Sequence, residues 1–319
     1  MAGNSGIANI AKGTDCRTTK HMYLWGVKKI PMENTIPSNI QKYADSSREI
    51  TVMGIINLTD DSFFAGSRYL SPDGDVDEDA LLHKAEKMIK DGAGVLDLGA
   101  CSTRPGSEPV GIEEEWRRLK KALLPLKKAF PEVGISVDTY FSEVVERVHE
   151  TIGKFTVNDI SAGEDDPLML PTVGRLGLPY IAMHKRGTPS SMQEMTDYGD
   201  GKNAVVDAVK EYFLEFSGKA ERHAVKDWIL DPGFGFAKTT EQNYTLLRNL
   251  PLLRIPGRKI LVGISRKSMI YRPLGLTPEE VLPQTQALHM AALSLGADIL
   301  RVHDVAETVR TVALYRLLY

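Results

Sequence analysis

The sequence contains few cysteines and no long apolar segment. Only Cys16 and Cys101 occur in 319 residues, one in a polar leader and one in a turn rich in Gly, Ser and Thr, so a disulfide framework is not expected. No apolar run reaches the roughly 18 residues needed to span a bilayer. Residues 1–20 also lack the apolar core of a secretory signal. We therefore expect a protein of the reducing cytoplasm that has no membrane partner.

The sequence also lacks a strong excess of charge of one sign. The 39 basic and 42 acidic residues give a net charge of −3, whereas a basic excess is typical of proteins that bind nucleic acid. We therefore expect no nucleic-acid partner. The apolar fraction of 42% is typical of a globular protein, and this length accommodates one large domain or two ordinary ones.

From about residue 50, short apolar runs rich in β-branched residues alternate with longer amphipathic segments. The runs lie at 50–58, 95–100, 134–139, 155–160, 180–184, 228–233, 260–265 and 299–303. A segment with helical spacing follows each run, as in 77–90, where Leu81, Ala85 and Met88 lie on one stripe. This alternation is typical of βα units around a parallel sheet.

The count of eight runs predicts the architecture. We predict a single (β/α)8 TIM barrel over residues 48–319, because such barrels take about 250 residues. Residues 1–47 are predicted to form an N-terminal extension with a possible hairpin. A doubly wound open sheet could also hold eight strands, but the glycine-rich dinucleotide turn that would follow its first strand is missing.

Polar residues lie at the end of every apolar run. They are Asn57, Asp97, Asp138, Asn158 with Asp159, His184 with Lys185, Asp231, Ser265 with Arg266 and Lys267, and Arg301 with His303. Strand ends approach water, which explains part of this pattern. In a barrel, however, the carboxyl ends of the strands line the active-site mouth. We therefore expect three carboxylates, two amides, a lysine, an arginine and histidines to converge on one cavity.

These residue types suit a ligand with two chemically different parts. Asp138, Asn158 and Asp231 can hydrogen-bond a flat, nitrogen-rich heterocycle, since a carboxylate pairs well with an amidine-like edge. Arg301 and His303 follow the eighth strand, where barrels commonly bind phosphate. Asn57 offers the kind of oxygen ligand that Mg2+ prefers.

Eight motifs carry a resemblance to a known family. They are MGIINLTDDSFFAGSR (53–68), DLGACSTRPGSEPV (97–110), ISVDT (135–139), NDISAG (158–163), AMH (182–184), LDPGFGFAKTTEQN (230–243), GISRKSMI (263–270) and RVHDV (301–305). In this order, each at a strand end, they make the chain resemble the dihydropteroate synthases over residues 50–319. The resemblance implies condensation of 6-hydroxymethyl-7,8-dihydropterin pyrophosphate with p-aminobenzoate to give 7,8-dihydropteroate and pyrophosphate.

The resemblance also implies roles for individual residues. The residues implied to bind the pterin are Asp138, Asn158, Met183, Asp231 and Lys267, with Asp97 as a buried carboxylate nearby. The residues implied to hold the pyrophosphate with its Mg2+ are Asn57, Arg301 and His303. The residues implied to form the p-aminobenzoate pocket are Thr103, Arg104, Pro105, Phe236, Lys267 and Ser268. Asp138, Asp231, Lys267, Arg301 and His303 are the predicted catalytic set. Sulfonamides are expected competitors, and a homodimer is expected to form through the last two helices.

The first loop departs from the family pattern. Asp60 stands where the family commonly has proline, and Ala65 stands where it commonly has aspartate. The loss of that carboxylate puts the metal ligands in doubt, and Asp60 or Asp61 could substitute for it. Ala100-Cys101 also replaces a common Gly-Glu pair, and we interpret Cys101 as a packed small residue.

Three other functions remain open at this point. A methyltetrahydrofolate-corrinoid methyltransferase would share the pterin-edge carboxylates and amide, but it has no reason to keep SRK and R-x-H. A catalytically silent pterin-binding protein is favoured only by the altered first loop. A sulfonamide-tolerant form of the synthase is compatible with the loop changes.

Overall fold

A computed structural model of the protein describes residues 48–59, 76–101, 110–188 and 191–319. The predicted extension of residues 1–47 lies outside the described residues. So do Asp60, Asp61 and Ala65 of the first loop.

All eight predicted strands are present. They are β1 (Thr51–Asn57), β2 (Val95–Gly99), β3 (Gly134–Asp138), β4 (Thr156–Asp159), β5 (Tyr180–Met183), β6 (Trp228–Asp231), β7 (Leu261–Val262) and β8 (Ile299–Val302). They pair in parallel in the order β6-β5-β4-β3-β2-β1-β8-β7. A parallel bridge between Leu230 and Ile260 joins the two ends of the sheet. The strands therefore form a nearly closed barrel, which confirms the predicted fold.

Helices connect the strands on the outside. They are α1 (Glu78–Lys90), α2 (Ile112–Ala129), α3 (Ser142–Ile152), α4 (Met169–Leu176), α5 (Ala204–Arg222), α6 (Thr240–Arg248), α7 (Ser268–Leu274), α8 (Leu282–Ser294) and α9 (Val305–Leu318). Asp77 caps α1 by accepting a hydrogen bond from the Ala80 amide at 3.0 Å, and two acidic residues follow in the first turn. This arrangement suits the positive end of the helix dipole.

The interior of the barrel changes from apolar to polar along the strands. Six side chains form a separate apolar cluster: Met53, Val95, Ile181, Ile229, Leu261 and Ile299. Successive side chains of a strand face opposite sides, so the residue two positions further on faces the interior again. On four strands that residue is Asp97, Met183, Asp231 or Arg301. The apolar layer is therefore the floor beneath a polar mouth.

Helix α2 is less exposed than its charge pattern suggests. Glu113 to Glu115 followed by basic residues predicts a solvated helix, yet Glu115 is fully buried and Arg118 is 9% exposed. The prediction is wrong for these two residues because they lie on the stripe of Leu119 and Ala122, which faces the barrel. Arg118 keeps polar partners there, since it donates to Glu114 at 2.7 Å and to the Leu58 carbonyl at 3.3 Å.

A carboxylate joins three chain segments at the amino-terminal end of the barrel. Asp298, immediately before β8, accepts from Arg254 at 2.8 Å and from the Ile260 amide at 2.9 Å. Its other oxygen accepts from Arg48 at 3.4 Å. One side chain thus links the chain preceding β1 to the strand pair at the end of the sheet.

We expect Asp298→Ala to lower the free energy of unfolding by about 3 kcal/mol, because it leaves a buried amide and two guanidinium groups without their shared acceptor. Urea unfolding measures this change. Asp91→Ala is the matched control, since Asp91 pairs with Lys87, whose side chain is 61% exposed, and such pairs contribute about 0.5 kcal/mol. Equal effects of the two substitutions would contradict the role of Asp298 in linking these segments.

Within the described ranges, none of the helices combines the length and the apolar character that crossing a membrane requires.

Candidate active site

Arg301 lies in the mouth and joins two carboxylates. Its Nε donates to Asp97 Oδ2 at 2.6 Å, and its Nη2 donates to Asp138 Oδ2 at 3.0 Å. Asp97, Asp138 and Arg301 come from the strands β2, β3 and β8, which lie far apart in the sequence. Arginine presents its donors in a rigid fork, so this pairing fixes the orientation of both carboxylates.

Asp97 also orients the amide of Asn158. Asp97 is fully buried, and the Asn158 Nδ2 lies 3.3 and 3.2 Å from its two oxygens. Because Nδ2 is used in this way, the Asn158 Oδ1 is the atom available to accept from a ligand. Asp97 therefore positions two residues of the mouth, Arg301 and Asn158, as a buried anchor.

Burial controls the charge state of the carboxylates in the mouth. It raises the pKa of Asp138 to about 7, against the opposing effect of the Arg301 charge. It also raises the pKa of Asp231 above its usual range, against the opposing effect of Lys267. Negative charge in this mouth is thus costly, and a ligand that brings N–H donors or positive charge lowers that cost.

Lys267 enters the mouth from the loop after β7. Its Nζ donates to the Phe234 carbonyl at 2.5 Å and lies 4.7 Å from the centre of the Phe236 ring. Burial lowers the pKa of Lys267 to about 8, while Asp231 acts in the opposite direction. Lys267 and Phe236 are therefore in contact, as a shared pocket requires.

The residue before Lys267 supports this loop. Arg266 adopts φ 55°, in the left-handed region, which is strained for a residue with a side chain. Two hydrogen bonds to Asp304, at 2.7 and 2.9 Å, and one to the Pro278 carbonyl hold it there. Arg266 is thus the partner of an acidic neighbour, Asp304.

His303 is fixed by the neighbouring loop. Its amide donates to Ser265 Oγ at 3.3 Å, and Ser265 Oγ lies 3.1 Å from the ring Nδ1. Ser265 thus holds both the backbone and the ring of His303.

The remaining predicted residues fall into two groups. Asn57 at the end of β1 and Ser268 at the start of α7 are half-buried, and Met183 at the end of β5 is buried. Thr103, Arg104 and Pro105 lie outside the described residues. Cys101, two positions before Thr103, is 8% exposed and lies 3.6 Å from the Tyr140 hydroxyl, and burial raises its pKa. These features agree with a packed small residue.

Two polar strand ends do not join the mouth. His184 lies against the Tyr212 ring, with centroids 4.9 Å apart. Asp159 accepts from the Tyr180 hydroxyl and from Ser161. His184 follows Met183 along the chain and faces the other side, because neighbours along a strand alternate between the two faces.

The sequence does not predict the burial of Lys238. Lys238 is 4% exposed and contacts His184 at 3.0 Å. It lies inside the motif at 230–243, but nothing in the sequence separates it from a solvated lysine in front of a helix cap. Only its position immediately before Thr239, which caps α6, marks it as held in place.

The comparisons with known proteins agree with this chemistry. Residues 53–303 match the family described as pterin binding enzyme. A dihydropteroate synthase from Synechocystis sp. is 40% identical over 268 residues, which cover 83% of this chain and 89% of the relative. The chain belongs to the dihydropteroate synthases.

Solved structures of dihydropteroate synthases share the fold. The Yersinia pestis enzyme, in a complex with a sulfonamide drug, has a TM-score of 0.76 at 33% identity and covers 85% of this chain and 94% of its own. The Xanthomonas albilineans enzyme, solved with 4-aminobenzoic acid, has a TM-score of 0.74 at 35% identity, over 85% and 93%. The predicted family, barrel and transferase class are therefore confirmed.

Proposed function

We propose that the mouth of this barrel condenses 6-hydroxymethyl-7,8-dihydropterin pyrophosphate with p-aminobenzoate, giving 7,8-dihydropteroate and pyrophosphate. The observation that carries the proposal is the bridge from Arg301 to Asp97 and Asp138. It places a cation for the leaving group beside carboxylates for the heterocycle. The dihydropteroate synthases to which the chain is similar support the same reaction.

The pterin binds against Asp138, Asn158 and Asp231. The Asn158 Oδ1 accepts from the heterocycle, since Nδ2 donates to Asp97. Asp231 Oδ1 accepts from the Gly233 amide at 2.8 Å, so Oδ2 is the oxygen that accepts from the pterin. Met183 is the last residue of β5, the strand between β4 and β6. It gives the pterin ring an apolar contact.

Charge then favours loss of pyrophosphate. Positive charge develops on the heterocycle as the methylene carbon–oxygen bond breaks. Asp138 and Asp231, held in a buried site, stabilise that charge electrostatically. Arg301 and His303 stabilise the departing anion. The aromatic amine of p-aminobenzoate is unprotonated near neutral pH, so its attack on the methylene needs no strong base.

Asn57 is the proposed Mg2+ ligand. It lies at the carboxyl end of β1, and β1 pairs with the strand that carries Arg301. Across the described part of the chain, no three His, Cys, Asp or Glu side chains form a metal-binding group. A single amide oxygen fits a Mg2+ that takes its other ligands from pyrophosphate and water. Bound there, Mg2+ supplies further neutralisation of the leaving group.

The p-aminobenzoate pocket is proposed at Phe236, Lys267 and Ser268. The contact of Lys267 with the Phe236 ring brings a cation and an aromatic face together, which suits a small aromatic carboxylate. Thr103, Arg104 and Pro105 remain predicted members of this pocket. Sulfonamides are proposed to compete here, because the Yersinia pestis enzyme forms a complex with a sulfonamide drug.

A homodimer is proposed through α8 and α9. The outer side of α9 leaves Leu314 56% exposed and Leu318 68% exposed, and exposed apolar side chains of this size favour association. Sedimentation velocity of the purified chain measures the assembly, and a monomer at micromolar concentration would contradict the proposal. The cytoplasmic setting stays a prediction.

The deciding experiment measures pyrophosphate release with 6-hydroxymethyl-7,8-dihydropterin pyrophosphate and Mg2+, with and without p-aminobenzoate. We expect release that requires both substrates and yields dihydropteroate. Tight pterin binding without product would instead favour a silent pterin-binding protein. Methyl transfer from methyltetrahydrofolate would favour the corrinoid-dependent alternative.

A further inference from the structure

Lys238 is a buried lysine between the end of β6 and the start of α6. Its Nζ lies 3.0 Å from each of three acceptors, the Gly233 carbonyl, the Phe236 carbonyl and the His184 Nδ1. An ammonium group has three N–H donors and no acceptor. The three contacts therefore satisfy the whole group, although the side chain is only 4% exposed.

The loop that supplies two of these acceptors is tightly turned. Gly233, Gly235 and Ala237 have φ of 68°, 84° and 50°, all in the left-handed region. A Cβ at Gly233 would lie 2.0 Å from the His184 carbonyl oxygen, so the backbone approaches β5 closely. Two carbonyls of this loop accept from the Lys238 Nζ. Lys238 therefore fixes the loop from the side that faces away from Lys267.

The other side of the same loop contacts the mouth. The Phe234 carbonyl accepts from Lys267 at 2.5 Å, and the Phe236 ring lies 4.7 Å from the same Nζ. The loop thus lies between the ammonium groups of Lys238 and Lys267 and provides acceptors to both. Moving its backbone would displace the Phe236 ring and a partner of Lys267 together.

We propose that Lys238 is a positioning residue for the p-aminobenzoate pocket, acting through the Gly233–Phe236 loop and without touching the substrate. This role rests on the proposed function, because it needs Phe236 and Lys267 to contact p-aminobenzoate. It assigns to His184 the task of accepting the third hydrogen bond. The pterin carboxylates Asp138 and Asp231 are not among the atoms that Lys238 contacts.

The charge state of His184 agrees with this arrangement. Burial and the adjacent Lys238 charge lower the pKa of His184 well below its usual range. The ring is therefore neutral, with a lone pair on Nδ1 and the proton on Nε2. Burial also lowers the pKa of Lys238 to about 7, and Asp231 opposes this effect, so the ammonium form with three donors predominates below pH 7.

The test is Lys238→Met, which keeps most of the apolar stem and removes all three donors. We expect the KM for p-aminobenzoate to rise about tenfold or more, with the KM for the pterin pyrophosphate changing less than about threefold. Amide exchange of Gly235 and Phe236 should become faster, because their loop loses its anchor. Equal changes in both KM values, or unchanged amide exchange, would overturn the proposal.

Lys185→Met is the matched control for loss of a buried lysine. The Lys185 side chain is 4% exposed and pairs with Asp165, so its loss should lower the unfolding temperature without selectively raising the p-aminobenzoate KM. His184→Phe removes one acceptor of three and should raise that KM in the same direction as Lys238→Met, by less.

The activity of the wild-type chain separates this inference from the proposed function. A wild-type chain that forms no dihydropteroate would sink the proposed reaction and, with it, the role of Lys238 in that reaction. A wild-type chain that is active, together with a Lys238→Met variant of wild-type KM values, would overturn the inference alone.

Discussion

Replacing Arg301 by methionine is expected to lower kcat/KM for dihydropteroate formation by about 1000-fold. Loss of one preorganised donor to a developing anion costs about 100- to 1000-fold by itself. Arg301 has a second task, since it holds Asp97 and Asp138 at 2.6 and 3.0 Å. Without it the two carboxylates lie uncompensated, and they take up protons or separate.

The measurement is steady-state pyrophosphate release with each substrate varied in turn. Arg310→Met is the matched control, since Arg310 is 74% exposed and its partner is Glu307 on the same helix. It should leave kcat/KM within about twofold, as expected for a surface pair. A loss below about tenfold for Arg301→Met would contradict a direct role at the leaving group.

Activity is expected to fall as the pH drops through 7. Burial raises the pKa of Asp138 to about 7, so the carboxyl gains a proton below that value and loses the negative charge that stabilises the pterin cation. The pH dependence of kcat/KM reports the titrating groups of the free enzyme. The kcat/KM for dihydropteroate formation should therefore fall about tenfold per pH unit below 7. An alkaline limb should begin near pH 8, where Lys267 loses its proton.

The loss of activity below pH 7 is not expected to come from acid unfolding. A carboxyl whose pKa is higher in the folded than in the unfolded state binds its proton more tightly when folded. Protonation of Asp138 between about pH 7 and its ordinary value of 3.8 therefore adds to the free energy of unfolding. Glu115 acts in the same direction, because burial raises its pKa to about 7 as well.

Asp138→Asn distinguishes this assignment from other titrating groups. It should lower kcat/KM about 100-fold at pH 8, because a neutral amide replaces the charge, and it should flatten the acidic limb. Circular dichroism at pH 6 checks that both proteins remain folded. An unchanged acidic limb in Asp138→Asn would assign the titration to another group.

The barrel and its polar rim could be predicted from the sequence alone. Parallel strands covered on both faces need near-continuous apolar runs, so the eight runs could be counted directly, and all eight are strands. The residue types at their ends identified Asp138, Asp231, Lys267 and Arg301 because strand ends of a barrel face one mouth. The motifs in their order identified the family.

Which polar residues meet, in contrast, depends on the folded chain. The carboxylates that Arg301 joins lie 204 and 163 positions away in sequence, a pairing set by strand order and register that local pattern does not contain. Successive side chains at a strand end also face opposite sides. Asn158 therefore enters the mouth, while its neighbour Asp159 accepts a hydrogen bond from Tyr180 outside it. Glu115 and Lys238 look like surface charges in sequence, yet both are buried, because burial depends on what folds over a residue and not on its neighbours along the chain.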